Sequence, residues 1–512
     1  MPQTPAQTAA AAARFLSQAG FGATAESLAH LQTLGPEGWL AEQFALAPNQ
    51  SNFEWMQQNG YAAVVHRNDF GGVDNTLWRK LISSQDVLRQ RVVLALSEIF
   101  VVSMAGLPVT WRGMAVASYL DMLEAQAFTS YRELLGAVTL SNAMGVYLNM
   151  RGNQKEDPRI GRLPDENYAR EVLQLFSIGL YELNLDGTPR LVNGKPVETY
   201  TQTTVSELAR VFTGWDFDGA NSNDPAFMLL PMVHSASRFS PGDKKVLGVT
   251  IPASASGPRA LQIALDTIAN HPNVAPFISR QLIQRLVSSN PSPAYVKRVA
   301  TVFNNNGSGQ RGDMKAVLRA ILLDAEAQFA STSPGAGKLR EPVLRFVQWA
   351  RLVGLASPTG LWNIGDLSNP GTQLGQSPMR SPTVFNFFRP AYVPPNSTLG
   401  ANGVTAPEFQ LLNETTIAGY LNFMQNAILN GVGELKPSYA AFDALAANPS
   451  QLVAQLSLLL AGDAISAATQ SAISTAVASI AATGSTAATG RLNRIRAALL
   501  LLMASPDYLI QK

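Results

Sequence analysis

The stretch that decides the fold is Val92-Val93-Leu94-Ala95-Leu96-Ser97-Glu98-Ile99-Phe100-Val101, in which only Ser97 and Glu98 are polar. Because apolar residues would occupy nearly every face of a helix drawn through it, the pattern indicates a helix that is buried on most sides. We predict one long helix over Asn75–Ser103, with this stretch in its second half. Glu98 is then an acid inside an apolar helix, and a buried carboxylate needs a partner or a raised pKa.

Helical periodicity dominates the rest of the chain, whereas strand signals are few. Asp186-Gly187 and Asn193-Gly194 are hairpin-type turns between short Leu/Val stretches, and Lys245–Ile251 is a second, weaker strand candidate. We therefore predict a mainly α fold, a multi-helix orthogonal bundle with one small β-ribbon inserted near residues 181–200. The further helices are predicted at Ala10–Ala19, Thr24–Thr33, Pro36–Leu46, Ala115–Glu124, Tyr131–Thr139, Pro258–Asn270, Pro276–Ser288, Pro293–Asn304, Met314–Leu323 and Glu341–Gly354.

Composition divides the chain into two parts. Residues 8–435 are expected to form a helical core that carries the ribbon (181–200) and a long aromatic loop (358–402). That loop is rich in Pro, Gly, Asn and Ser, and connections of this length are commonly binding loops or lids. Residues 436–512 are rich in Ala, Ser and Thr, and we expect them to form a helical appendage that packs on the core.

Charge and cysteine content exclude several classes of function. The chain has 512 residues, with 38 Lys+Arg against 36 Asp+Glu, so no basic surplus points to nucleic acid as a partner. It has no cysteine, which excludes disulfides, thiolate catalysis and Cys-based metal sites. The apolar run Ala497–Ala504 is far shorter than the about 20 residues of a membrane-spanning helix. The first residues lack the basic and apolar regions of a signal peptide, so the sequence fits a cytosolic protein or a mature form without its leader.

The densest polar motif is Pro164-Asp165-Glu166-Asn167-Tyr168-Ala169-Arg170-Glu171, directly before the apolar run Val172–Phe176. Proline and acids ahead of an apolar run mark a helix N-terminus. Glu166 would face Arg170 one turn on, and Asn167 would face Glu171. One interpretation is a capped helix with a solvated ion pair. The other is a carboxylate–arginine network that lines a cleft, for acid–base catalysis or a cation.

A second helix is predicted to begin at the capping box Thr204–Glu207 and to end at Thr213-Gly214-Trp215. It carries Arg210, and Trp215 after its end either covers a cleft or plugs the core. Asp216 and Asp218 are weak candidates for Ca²⁺ ligands, together with Asn221, Asn223 and Asp224, although their spacing is not that of an EF-hand.

Other motifs give little chemistry. No two of the four histidines (His30, His66, His234 and His271) have the spacing of a local metal pair, and His234 is of interest only because a charged loop follows it. Nucleophile elbow, P-loop, dinucleotide and zinc-protease motifs are all missing. We therefore predict no resident metal and no cofactor. The charged segment Lys338–Pro342 before a helix suggests structural pairing, with anion recognition as the alternative.

Several of these motifs together resemble the bacterial family DUF1800, whose name stands for a domain of unknown function. The residues that carry the resemblance are Pro164–Phe176, Phe212-Thr213-Gly214-Trp215, Arg14-Phe15-Leu16, Gly20-Phe21-Gly22, His271-Pro272, Lys338–Pro342, Leu374-Gly375-Gln376 and Ser505–Leu509. The resemblance implies a predominantly helical protein that is periplasmic or secreted. It also implies a sulfatase-like partner of the DUF1501 family, because the two families are frequently encoded side by side. Many relatives carry Trp-His-x-His-Phe where this chain has Leu96–Phe100, so a metal held by those histidines would not be held in the same way here.

Two hypotheses of function follow. In the first, the protein is a scaffold or accessory partner of the sulfatase-like protein, and its polar motif fixes helix packing. In the alternative, it is a carboxylate-based hydrolase of an extracellular or envelope glycan. The candidate catalytic residues are Glu166, Glu171, Arg170 and Arg210. The candidate residues of a substrate or partner surface are Trp215, His234, Gln376, Phe385, Phe388 and Tyr392.

Overall fold

The computed structural model describes residues 8–329 and 335–512, and the described chain is mainly helical with small two-stranded antiparallel sheets. The predicted fold class is therefore confirmed. The α-helices are α1 Ala9–Ala19, α2 Ala25–Ala45, α3 Asn52–Gln58, α4 Val73–Ser83, α5 Val87–Ile99, α6 Arg112–Gln126, α7 Tyr131–Leu140, α8 Asn142–Tyr147, α9 Asn167–Gln174, α10 Gln202–Val211, α11 Gly257–Asn270, α12 Val274–Leu286, α13 Pro293–Asn304, α14 Met314–Leu322, α15 Ala325–Gln328, α16 Pro342–Leu352, α17 Thr398–Ala401, α18 Glu414–Asn430, α19 Pro449–Ala461, α20 Ala467–Ala478, α21 Ala487–Ala504 and α22 Pro506–Leu509.

The strands form four antiparallel pairs among the described residues. They are β1 Leu191–Val192 with β2 Lys195–Pro196, β3 Trp215–Asp216 with β4 Val233–His234, β5 Lys244–Val246 with β6 Val249–Ile251, and β7 Lys338–Leu339 with β8 Ile510–Gln511. The first pair lies in the predicted ribbon, which the bridge between Tyr181 and Glu198 extends. The third pair confirms the weaker strand candidate.

The predicted long helix over Asn75–Ser103 is wrong, because the chain forms two helices there. Ser84 takes an extended backbone conformation (φ −65°, ψ 142°) and ends α4. Asp86 then precedes α5, where its carboxylate lies 3.4 Å from Arg89 Nε. The expected burial is confirmed, since every residue from Leu88 to Ile99 is buried. Helix α5 is therefore a central element of the core.

Helix α10 begins three residues earlier than the capping motif predicted. Its N-cap is Thr201, whose hydroxyl accepts a hydrogen bond from the Thr204 amide. Thr204 is therefore the third helical residue and not the cap. The shift brings Gln202 and Ser206 onto the helix surface next to α9.

The C-terminal residues contact the beginning of the chain. Helix α19 packs on α1, and α21 packs on α18 and α19. Gly462 ends α19 with φ 57°, and a Cβ atom on it would lie 2.8 Å from the Ala10 carbonyl oxygen, so a larger residue would push the two helices apart. Strand β8 pairs with β7 beside the start of α16. The division into a core and an appendage at residue 436 stays a prediction.

No helix in the described part of the chain has both the length and the hydropathy that crossing a bilayer requires.

Candidate functional site

Helix α9 places the predicted acidic motif at the edge of the core. The Asp165 carboxylate accepts a hydrogen bond from the Asn167 amide at 2.8 Å, so an acid does satisfy the start of this helix. Asn153 holds Asp165 in turn, because its side-chain oxygen accepts the Asp165 N–H at 2.8 Å. Glu166 is the N-cap residue, but its carboxylate accepts no hydrogen bond from the backbone of α9.

The Glu166 carboxylate joins α9 to α10. Its Oε2 accepts hydrogen bonds from Arg170 Nη2 at 3.1 Å and from Gln202 Nε2 at 2.7 Å. Its Oε1 accepts one from Ser206 Oγ at 2.6 Å. The predicted pair of Glu166 and Arg170 is present, with both side chains partly exposed. Both oxygens of this carboxylate are thus used within the fold.

Glu171 differs from Glu166, because it is buried and its Oε2 has no hydrogen-bond partner. The expected pairing with Asn167 does not form. Burial raises the pKa of Glu171, and the positive charge of Arg170 opposes that rise only in part. Burial also raises the pKa values of Tyr147 and Tyr200 to about 12, and the Glu171 charge adds to both. The Tyr200 hydroxyl is likewise buried without a partner, so this corner contains two unpaired polar groups.

Arg210 belongs to a different arrangement. Its guanidinium donates to both carboxylate oxygens of Glu207, at 2.9 and 3.1 Å, to Ser240 Oγ at 3.0 Å and to the Asp243 carbonyl at 2.9 Å. Ser240 Oγ donates in turn to Glu156 Oε2 at 2.7 Å. Arg210 therefore fixes the loop before β5 to α10, and the structure does not bring it into hydrogen-bond contact with Glu166 or Glu171.

Trp215 and His234 form part of an aromatic cluster between β3 and β4. Trp215 is buried and meets the His234 ring edge-on at 5.1 Å, and His234 meets Phe239 at the same distance. Burial lowers the pKa of His234 and so disfavours the charged form of the ring. The ring lies over the first residue of α11, where a Cβ atom on Gly257 would come within 1.9 Å of His234 Nε2. These two predicted surface residues therefore pack the core, and only His234 remains partly exposed.

The main Ca²⁺ candidate, Asp216, is paired with arginines within the fold. Asp216 pairs with Arg151 at 2.9 Å and with Arg238 at 2.8 Å, so two guanidinium groups occupy its carboxylate. Asp218 is exposed on the following turn. Within residues 8–329 and 335–512, no three His or acidic side chains come together in a way that could hold a metal ion.

The segment Lys338–Pro342 lies at the centre of a buried ionic cluster. Lys338 Nζ lies 3.3 Å from both Glu341 Oε1 and Glu408 Oε1 and donates to the carbonyls of Gln284 and Arg285 at 3.2 and 2.8 Å. All three charged side chains are at most 1% exposed. The expected structural pairing is thus confirmed. We call this the Lys338 cluster, with members Arg91, Glu98, Arg285, Lys338, Glu341, Gln376 and Glu408.

Glu98 on α5 joins the cluster through Glu341. Burial raises the pKa of Glu98 well above its ordinary value, and the neighbouring Glu341 charge raises it further. For Glu341, burial acts in the same direction, but the Lys338 charge, the hydrogen bond with Glu98 and the Arg285 charge outweigh it and hold its pKa well below the ordinary value. Arg285 Nε lies 3.6 Å from Glu98 Oε2, which is too long for a strong bond. The two carboxyl groups are thus coupled by a hydrogen bond, and the raised pKa of Glu98 with the lowered pKa of Glu341 favours the proton on Glu98 over Glu341.

The aromatic loop contacts the Lys338 cluster through Gln376 and Phe388. Gln376 donates to Glu341 Oε2 at 2.7 Å and accepts from the Val343 amide at 3.2 Å. Phe388 is buried with its ring 4.5 Å from the Arg285 guanidinium. Two of the predicted contact residues, Gln376 and Phe388, are thus inside the molecule, because burying them satisfies an acid and shields a cation.

The outer part of the loop leaves two of the predicted aromatics partly exposed. Phe385 and Tyr392 are half-buried, and the Arg389 guanidinium lies 5.5 Å from the centre of the Phe385 ring. Of the six predicted surface residues, these two and His234 remain accessible.

A cavity of about 10 Å³, the size of one water molecule, separates α5 from the loop. Met379 and Asn386 line it with left-handed backbone conformations (φ 60° and 62°), which are costly for residues with a side chain. The cavity is also lined by residues with buried polar atoms that have no partner, namely Glu98 Oε2, Ser377 Oγ, Ser381 Oγ and Asn386 Nδ2. No local sequence pattern predicts this cavity, because its residues come from three segments that are far apart in the chain, namely α5 with the residues after it, α16 and the loop.

A larger cavity of about 680 Å³ lies between the turn of the ribbon and the helices α12 and α13. None of the predicted site residues lines it. Arg280 on α12 lines this cavity, together with the Asp186-Gly187 turn that the sequence pattern predicted in the ribbon.

Comparison with known proteins gives one result. No curated protein and no solved structure matches the chain. The family model of DUF1800, described as "protein of unknown function", matches residues 14–510. Because that match covers nearly the whole chain, the protein belongs to the DUF1800 family.

Proposed function

We propose that the protein is a non-catalytic scaffold or accessory protein of the bacterial envelope or extracellular space, and that its partner is a sulfatase-like protein of the DUF1501 family. The observation that supports this proposal is that two of the four candidate catalytic groups, Glu166 and Arg210, are fully engaged within the fold. Glu166 accepts hydrogen bonds from three side chains, and Arg210 donates to side chains and carbonyls of a neighbouring loop. Polar groups that are satisfied inside the fold position helices and have no free atoms for a reaction.

The surface that this proposal assigns to the partner is the outer part of the aromatic loop. Gln376 and Phe388 hold the inner part on the Lys338 cluster, so the loop has a fixed base. Phe385 and Tyr392 are partly exposed above it, and Arg389 adds an exposed cation. Aromatic residues and arginine are the residue types that contribute most to protein–protein interfaces.

The experiment is to measure binding between this protein and the purified DUF1501 partner by biolayer interferometry and by co-elution in gel filtration. We expect Phe385→Ala and Tyr392→Ala each to weaken binding at least tenfold, the effect of losing about 1.4 kcal/mol at an interface. Tyr181→Ala, on the exposed face of the ribbon, is the matched control and should leave binding unchanged. Absence of binding by the wild-type protein would refute the proposal.

One observation favours the alternative, a hydrolase of an envelope or extracellular glycan. Glu171 is a buried carboxyl with a raised pKa and a free Oε2, and a raised pKa shifts a carboxyl toward the protonated form that general-acid catalysis needs. The test is release of reducing ends from a panel of bacterial polysaccharides by wild-type protein and by Glu171→Gln. Turnover that the substitution abolishes would favour the hydrolase. Turnover that survives it would remove Glu171 from the mechanism.

A further inference from the structure

The cavity of about 680 Å³ has one wall that is mainly apolar and one that carries a charge. Pro189, Val287, Pro293 and Val296 contribute the apolar wall. Gly187 in the ribbon turn has φ 77°, and a Cβ atom on it would lie 3.0 Å from Val296 Cγ1. The turn can therefore lie directly against α13 and close this side of the cavity.

Arg280 supplies the partly buried positive charge, while the other cation of the lining, Lys512, is exposed. Arg280 projects from α12 and is half-buried. Its guanidinium forms no hydrogen bond, ion pair or ring contact with any residue of the described chain. Burial lowers its pKa, and no neighbouring carboxylate acts against that change. A guanidinium remains charged in proteins, so five N–H donors and one positive charge lie at this cavity without a partner among residues 8–329 and 335–512.

The acids that line the cavity are engaged elsewhere. The Asp186 carboxylate accepts hydrogen bonds from the Thr188 amide at 2.9 Å and from the Thr188 hydroxyl at 2.6 Å. Glu326 pairs with Arg298 at 3.1 Å and accepts from the Ser292 hydroxyl. Neither acid neutralises Arg280. Their negative charges at the edge of the cavity favour a ligand with one negative charge over one with two or more, because like charges repel.

We propose that this cavity binds a small organic monocarboxylate, with the carboxylate on Arg280 and an apolar body against the exposed rings of Pro189 and Pro293. A planar carboxylate matches the guanidinium fork and can accept two parallel hydrogen bonds from it. Binding would supply the missing counter-charge to a cation that has lost much of its hydration. The apolar wall would contribute through the burial of hydrocarbon surface.

The experiment is isothermal titration of the full-length protein with benzoate, with benzamide as the neutral probe of the same shape and with inorganic phosphate as the oxyanion without an apolar body. We expect the wild-type protein to bind benzoate saturably and to bind both benzamide and phosphate at least tenfold more weakly. Arg280→Gln should lower the affinity for benzoate at least tenfold, the usual effect of removing a hydrogen bond to a charged group. Arg280→Lys should retain part of the affinity, because it keeps the charge without the fork. Arg67→Gln, which removes a partly exposed arginine that does not line the cavity, is the matched control and should bind as wild type does.

Three results would overturn the proposal. They are a wild-type protein that does not bind benzoate, an Arg280→Gln variant that binds it with unchanged affinity, and phosphate binding as tight as benzoate binding. Circular dichroism of each variant separates loss of the site from loss of the fold. If Arg280→Gln does not fold, Pro293→Asp replaces it in the test. Pro293 is exposed in the first turn of α13, where an acid is tolerated, and a second negative charge on the apolar wall should also weaken benzoate binding at least tenfold.

Discussion

Replacing Lys338 by methionine should strongly destabilise the protein. Lys338 Nζ lies 3.3 Å from both Glu341 and Glu408 and donates to the carbonyl of Arg285 at 2.8 Å. Its side chain is fully buried, so water cannot replace the lost ammonium group. Methionine keeps an unbranched aliphatic side chain and removes only the charge and its donors. The substitution therefore tests whether the Lys338 cluster depends on charge compensation.

The magnitude follows from the partners that remain. Removing one partner of a buried ion pair costs about 3–5 kcal/mol, because the other charge stays buried without compensation. Glu341 keeps its hydrogen bond from Gln376, and Glu408 keeps one from Ser289 Oγ at 2.6 Å. We therefore expect a loss in the lower half of that range, about 3–4 kcal/mol in the free energy of unfolding.

The assay is urea unfolding followed by circular dichroism at pH 7. Lys195→Met, at an exposed position of the ribbon, is the matched control and should change the free energy of unfolding by no more than about 0.5 kcal/mol. The double variant Lys338→Met/Glu408→Gln should lose less than the sum of its single variants, because one uncompensated charge is removed with its partner. If Lys338→Met cost no more than Lys195→Met, the reasoning about charge compensation would be refuted.

Three further predictions follow. Glu98 has a raised pKa in the folded state, so its contribution to stability is present below the ordinary pKa of a glutamate and is lost as the pH rises through the folded value. Glu98→Gln removes the titrating group and with it this loss. In urea unfolding, the free energy of unfolding of the variant relative to wild type should therefore rise above pH 5, by up to about 1.4 kcal/mol per pH unit. A difference that does not depend on pH would contradict the raised pKa. Gly257→Ala should lower the free energy of unfolding by about 1–3 kcal/mol, because its Cβ atom clashes with the His234 ring. Adding His234→Ala in a double variant should relieve this clash. Gly136→Ala in α7 is the control and should be tolerated in the same unfolding assay. Asp216→Asn should lower the free energy of unfolding by about 1 kcal/mol or less, because its ion pairs are partly exposed. Millimolar CaCl₂ should leave the melting temperature of the wild-type protein unchanged. A rise in the wild-type protein but not in the variant would support Asp216 as a Ca²⁺ ligand.

The sequence by itself predicted the helical class, the ribbon and the burial of α5. These features depend on the order of apolar and polar residues within one or two turns, so a local pattern carries them. The pair of Glu166 and Arg170 was predictable for the same reason, because helical geometry alone brings residues four apart onto one face. The break between α4 and α5 was missed, because Leu77, Leu81, Leu88 and Val92 keep a helical spacing across the polar run at 83–86, in which Ser84 adopts an extended conformation.

Only the tertiary structure decided which charges meet. Lys338 is paired with Glu408, Glu98 lies against Glu341, and Arg280 faces a cavity with no partner in the described part of the chain. No periodicity links residues so far apart in the chain. Their pairing depends on how the helices pack, because the desolvation of a charge and the distance to its partner are set by the whole fold and not by the neighbouring sequence.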